Sequence, residues 1–133
     1  MMITEAAQNL NDEISEITVL DPTENCPAAQ AGAKQIVGDF KDEFAILKLA
    51  EQSDIITYEI ESGNTDVLSK LKAEIEPSPS TLSIIQDKLS QKKFLSENAL
   101  PVSQFYEITS LDDLYEKIKE LGLPVLLKSR RDA

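Results

Sequence analysis

The groups able to do chemistry in this chain are carboxylates and ammonium groups, because histidine is absent and Cys26 stands alone. Without imidazole, the usual general base and the commonest metal ligand are both missing. Glu59 and Glu61 are two residues apart at the carboxyl end of an expected strand, Asp-Ile-Ile-Thr-Tyr-Glu-Ile over 54–60. That spacing puts both carboxylates on one face, and ligands lie at that end of open parallel sheets. The same acidic end could instead cap a helix or form salt bridges. Tyr58 points the other way and is read as packed. Lys128 closes an apolar run, Pro-Val-Leu-Leu-Lys, where a point charge reaches a ligand at a sheet edge or points into solvent. Lys88 sits on the polar face of an expected helix, where a lysine is ordinarily solvated surface. Asp21 follows a short strand, where a ribose-binding acid would sit in a dinucleotide fold. The glycine fingerprint is missing, so an Asp capping the turn before Pro22 is the simpler reading. Cys26, between Asn25 and Pro27, reads as a loop thiol without a base or metal partner. Arg130 and Arg131 could approach a phosphate, while Asp132 beside them equally fits a solvated end.

The elements that must position these groups alternate between strand and helix. Met2, Ala6, Ala7 and Leu10 recur at helical spacing from the first residues. Ile17 to Leu20 is a β-branched run ended by Asp21-Pro22, Ala28 to Ala33 a small-residue helix, and Gln35 to Val37 a strand stopped by Gly38-Asp39. Asp42 to Glu51 is expected to be a helix with Phe44, Leu47 and Leu49 among its apolar positions. Thr65 to Ile75 is expected to be another, capped near Asn64 or Thr65, with Val67, Leu68 and Leu71 turned inward. Glu76 to Leu95 reads as a connecting helix: Ser78 caps it, Pro79 takes its first position, and Leu82, Ile85 and Leu89 make its stripe. Then come a strand near Gln104 to Ile108 and a helix capped by Ser110 with a stripe of Leu111, Leu114, Ile118 and Leu121. Gly122 stops that helix, and Pro124 to Lys128 is a further strand. The alternation predicts α/β architecture: an incomplete Rossmann-like parallel sheet over 1–76, a connecting helix over 77–95, and the opening β–α–β of a second domain over 96–133. A first strand with its glycine turn should precede the first helix, and a unit ending on its second strand is no natural boundary. Both ends therefore read as interior to a larger protein.

The formal net charge is −11, from 13 Lys and Arg against 24 Asp and Glu. That balance argues against general nucleic-acid or anionic-membrane binding, though not against a local cationic pocket. The late clustering of Lys88, Lys92, Lys93, Lys117, Lys119, Lys128, Arg130 and Arg131 would suit such a pocket. No apolar run approaches the roughly 20 residues a spanning helix needs. A lone cysteine and the lack of a signal peptide suggest a cytoplasmic protein.

Four segments, in order, resemble 5-(carboxyamino)imidazole ribonucleotide synthase, an ATP-grasp family of purine biosynthesis. They are Val-Leu-Asp-Pro at 19–22 with Cys-Pro-Ala-Ala-Gln at 26–30, Ile-Val-Gly-Asp-Phe at 36–40, Asp-Ile-Ile-Thr-Tyr-Glu-Ile-Glu at 54–61, and Pro-Ser-Pro at 77–79 with Gln-Asp-Lys at 86–88 and Lys-Lys-Phe-Leu at 92–95. The tail Leu-Pro-Val-Leu-Leu-Lys-Ser-Arg at 123–130 also fits. The resemblance implies a pre-ATP-grasp sheet lacking its first strand, followed by the start of an ATP-grasp domain. It implies an ATP-dependent ligase joining bicarbonate to aminoimidazole ribonucleotide through carboxyphosphate. Lys88 and Lys128 align with ATP contacts, and Glu59 or Glu61 with the ribonucleotide. Mg²⁺ is implied with ATP, its acidic ligands falling outside this chain, and a homodimer is implied for the full-length enzyme. The family's opening strand, its glycine loop and its carboxyl-terminal Lys and Arg contacts are absent, so this polypeptide alone is not expected to turn over. Another ATP-grasp ligase, of the formate-dependent glycinamide ribonucleotide transformylase or biotin carboxylase type, is the alternative. A non-catalytic interaction module is the alternative of a different class.

Overall fold

A computed structural model describes residues 1–10 and 13–131. The chain forms two compact units, Met1–Leu82 and Ser83–Ala133.

The first unit is parallel α/β. Strand β1 (Thr18–Asp21) pairs in parallel with β2 (Lys34–Val37), Leu20 opposite Ile36 and Asp21 opposite Val37. Strand β3 (Ile55–Ile56) pairs in parallel with β4 (Glu74–Ile75). The two ladders are separate, yet they share a core. Leu20 of β1 packs against a buried cluster of Ile46, Ile56, Val67, Leu68, Ile75 and Leu82. Its neighbour Val19 packs on the other side, against Cys26, Ala28 and Ala33. Successive side chains of a strand point to opposite faces, so a strand covered on both reads as a continuous β-branched run.

The connections follow local signals. Helix α1 (Met2–Ala7) buries Thr4 and Ala7, while Met2, expected on its apolar stripe, is exposed. Short α2 (Pro27–Gln30) starts with proline at its first position, where a missing N–H costs nothing. In α3 (Glu43–Ala50) the Asp42 carboxylate accepts from the amides of Phe44 and Ala45, satisfying donors that the first turn leaves unpaired. The helix turns Ala45 and Ile46 inward, whereas Phe44 is 83% exposed. A Cβ at Gly38 would lie 2.9 Å from the Ala45 Cβ and 3.3 Å from Leu20 Cδ1, so β2's end and α3 approach too closely for any side chain.

Three expectations are corrected here. The strand over 54–60 shrinks to Ile55–Ile56, because only Glu74 and Ile75 pair with it. The helix over 65–75 stops after α4 (Thr65–Leu68), which Asn64 caps through the Val67 amide. Its remainder turns so that Ile75 enters the ladder beside Ile56, since burial of Ile75 in the core outweighs weak local propensity. The single helix over 76–95 is two: α5 (Pro79–Ile85) and α6 (Lys88–Glu97). Asp87 breaks it, with φ −122° and ψ 108° and a carboxylate that caps α6. Leu82 and Leu89 of the expected stripe are buried, while Ile85 is exposed.

In the second unit, α7 (Leu111–Leu121) is capped by Ser110, whose hydroxyl accepts from the Asp113 amide, and ends at Gly122. Gly122 has φ 77°, a region glycine reaches without steric cost. The stripe expected on α7 is only partly covered: Leu114 and Ile118 are half-buried, and Leu111 and Leu121 are exposed. The segments 104–108 and 124–128, expected as strands, have no ladder partner among the described residues.

Candidate functional site

The first unit carries the acidic candidates. Glu59 and Glu61 lie beyond the last residue of β3, in an irregular loop, so the two-residue spacing sets no common face. Both are exposed. Glu59 Oε2 accepts from the Met1 ammonium at 3.2 Å, with both groups about half exposed. Tyr58 packs against the core as expected. Its hydroxyl is buried without a hydrogen-bond partner among the described residues. Burial pushes the Tyr58 pKa up, and the Glu76 charge adds to the effect. Asp21 accepts from the Thr23 amide at 2.7 Å, the turn-capping role the sequence favours. Cys26 stands in the loop just before α2, as expected, but it is 1% exposed and belongs to the small core with Ala28 and Ala33.

The second unit carries the cationic candidates and the densest polar cluster. Asp87 is 5% exposed. Its Oδ1 accepts from the amides of Leu89 and Ser90, each at 3.0 Å. The Arg130 guanidinium closes on the same carboxylate, Nη2 at 2.7 Å and Nε at 3.2 Å from each oxygen. Arg131 Nε stands 3.6 Å from Oδ2. The hydrogen bonds from Arg130 hold the Asp87 carboxyl well below the usual carboxylate range, the Ser90 amide helps, and burial opposes them. Arg130 Nη1 also donates to Glu107 Oε1 at 2.7 Å, and Glu107 Oε2 lies 3.8 Å from Lys93 Nζ. Lys92 donates to Ser103 Oγ at 3.0 Å and stands over the Phe105 ring.

Lys88 and Lys128 are drawn to this cluster through the backbone. Lys88 directly follows Asp87, and its N–H donates to the Arg130 carbonyl at 2.9 Å. Lys128 precedes Arg130 by two residues, at most about 7 Å along the chain. Neither ammonium has an ion-pair partner among the described residues, unlike Lys93, Lys117 and Arg130. Lys88 is half-buried and Lys128 exposed. The residues sequence reasoning missed are Asp87 and Glu107. An Asp between two apolar helical runs is the one signal for the break, since Asp favours caps over helix interiors. Arg130 reaches both carboxylates while its side chain stays 52% exposed. Asp132 lies outside the described residues.

Among the described residues no three His, Cys, Asp or Glu side chains gather in a way that could hold a metal ion. No helix there is long and apolar enough to cross a membrane.

Parallel strand pairs joined through helices, with an acidic loop beyond the carboxyl end of β3, make the first unit a parallel α/β fold. The chain belongs to the ribonucleotide synthetase preATP-grasp domain family, whose model matches residues 1–86. It is similar to the N5-carboxyaminoimidazole ribonucleotide synthase of Staphylococcus epidermidis, 32% identical over 97% of this chain and 34% of that protein. The chain thus spans about a third of the length of that relative. The crystal structure of N5-carboxyaminoimidazole ribonucleotide synthetase from Thermotoga maritima matches with TM-score 0.81 and 36% identity, over 97% of this chain and 36% of that one. The Aspergillus clavatus N5-carboxyaminoimidazole synthase, in complex with ADP and 5-aminoimidazole ribonucleotide, matches with TM-score 0.83 and 33% identity, over 97% and 35%.

Proposed function

We propose that this chain contributes to an ATP-dependent ligase that carboxylates 5-aminoimidazole ribonucleotide with bicarbonate in purine biosynthesis. Lys88 and Lys128 take the ATP phosphates, and Glu59 or Glu61 meets the ribonucleotide. The observation that carries the reading is the likeness, across 97% of the chain, to a solved relative holding ADP and 5-aminoimidazole ribonucleotide. The local geometry supports it. Lys88 and Lys128 have no ion-pair partner among the described residues, and the Lys88 N–H bond to the Arg130 carbonyl brings their two segments together, which suits neutralising a polyphosphate. A glutamate at the ligand end of a parallel strand accepts hydrogen bonds only, so it suits an amino or hydroxyl group of a ribonucleotide.

Joining bicarbonate to an amine needs an activated carboxyl. Transfer of the γ-phosphoryl to bicarbonate makes carboxyphosphate, and the amine then displaces phosphate. Lysines beside the β and γ phosphates hold the charge in place while it shifts. Mg²⁺ bound with ATP supplies further neutralisation. The described residues offer no cluster to hold it, so no step through the ion is assigned to them. The whole enzyme is proposed to be a cytoplasmic homodimer.

Equilibrium dialysis of labelled ATP against micromolar protein tests the reading. Lys88→Gln and Lys128→Gln should each weaken binding about tenfold, the loss of one charge-assisted contact. Unchanged affinity in both variants, or no ATP bound by the parent chain, would refute it. A rival ATP-grasp ligase would bind ATP equally well, but the ribonucleotide would fail to protect the 59–61 loop from amide exchange.

A further inference from the structure

The Arg130 side chain bonds two carboxylates from separate segments of the second unit. Its guanidinium spans Asp87 at the head of α6 and Glu107 in the segment before α7, with contacts of 2.7 Å to each. One of these partners is buried: the Asp87 side chain is 7% exposed. That carboxylate already holds the first turn of α6 through the Leu89 and Ser90 amides. The main chain closes the same junction, because the Arg130 carbonyl accepts from Lys88 N–H. Side chain and backbone of one residue therefore bind the two consecutive residues Asp87 and Lys88. Lys128 is two residues away along the backbone, so its placement follows that of Arg130.

We propose that Arg130 is a positioning residue: held between Asp87 and Glu107, it sets Lys88 and Lys128 side by side for the phosphates of a nucleoside triphosphate. This inference rests on the nucleotide-site reading above. Two features favour positioning over direct contact with the phosphate. The guanidinium commits Nε, Nη1 and Nη2 to two carboxylates, three of its five N–H groups, which fixes its plane on them. Those carboxylates also cancel its charge locally, whereas Lys88 and Lys128 have no ion-pair partner among the described residues. The planar fork matters because it meets both Asp87 oxygens at once, a geometry that a lysine cannot reproduce.

A double-mutant cycle on the 133-residue chain separates the possibilities. Labelled ATP is titrated against the parent chain, Arg130→Gln, Lys128→Gln and the double variant. Each single change should weaken ATP about tenfold, and the double variant should be within about twofold of the weaker single, because both act through one placement. Additive losses, about a hundredfold in the double variant, would mean that Arg130 acts independently of Lys128 and would overturn the proposal. Arg130→Lys keeps the charge, so it guards against simple loss of folding. It should remain weak, and parental affinity in that variant would also overturn the proposal. Amide exchange at Lys88 provides a readout without ATP: it should accelerate in Arg130→Gln. If it accelerates while Lys88→Gln and Lys128→Gln leave ATP binding unchanged, the junction stands and the nucleotide reading falls, taking the positioning role with it. If Lys128→Gln weakens ATP but Arg130→Gln does not, the nucleotide reading stands and the positioning role falls.

Discussion

Replacing Asp87 by Ala tests how much of α6 depends on one carboxylate. In the parent chain that group accepts two backbone amides of the first helical turn and the guanidinium of Arg130. The alanine variant removes the cap, which costs about 1–2 kcal/mol. The lost ion pair adds to this but is screened, because the Arg130 side chain is 52% exposed and can rehydrate. A loss of about 1–2 kcal/mol corresponds to roughly 5- to 30-fold faster opening of the helix. Amide exchange followed by mass spectrometry reads this locally, over residues 88–97, without requiring one global transition. Leu89 and Ser90 should lose most protection, since the deleted oxygen is their acceptor. Asp87→Asn keeps an oxygen that caps as well as Asp does, so it should retain much of that protection while losing the charge. The pH dependence follows from the depressed carboxyl of Asp87. Its contribution is fully present above the ordinary carboxylate value near 4 and is lost as pH falls through the lower folded-state value. Helical signal at 222 nm should therefore decline in acid, and less steeply in Asp87→Asn. The reasoning is refuted if Asp87→Ala leaves exchange at Leu89 and Ser90 unaltered.

Two further outcomes follow from the first unit. Gly38→Ala should destabilise it by about 1–3 kcal/mol through overpacking, since its Cβ would meet the Ala45 Cβ at 2.9 Å; denaturant titration reporting no loss would mean that β2 and α3 separate easily. The outer edges of β1 and β3 carry no ladder partner among the described residues, and Ile55, Ile60 and Phe44 are exposed nearby in sequence. Such edges template further pairing, so the chain should self-associate as its concentration rises. A monodisperse monomer with a sharp, cooperative thermal transition would count against that.

The parallel α/β class was legible in the sequence because its signals are local. The β-branched run that became β1, the Asp42 and Ser110 caps, and the Gly122 stop each depend on a few adjacent residues. Tyr58 as a packed side chain and Asp21 as a turn cap were readable for the same reason. The lengths of β3 and α4 were not. Ile75 pairs with Ile56 across 19 positions, and no local pattern marks the point where a helix must yield to that ladder. Burial of Cys26 was likewise decided by packing, since its neighbours Ala33 and Val19 arrive from other elements.

The sequence by itself determined the alternation of elements, the acidic balance, the lysines near the carboxyl end, and the ordered segments shared with a ligase family. Tertiary structure alone decided that Asp87 splits one apparent helix in two. A helical pattern cannot show that an arginine 43 residues later returns to the same carboxylate. Burying that charge is favourable only once the partner and both amides are in place, and such coincidence exists in space, not along the chain.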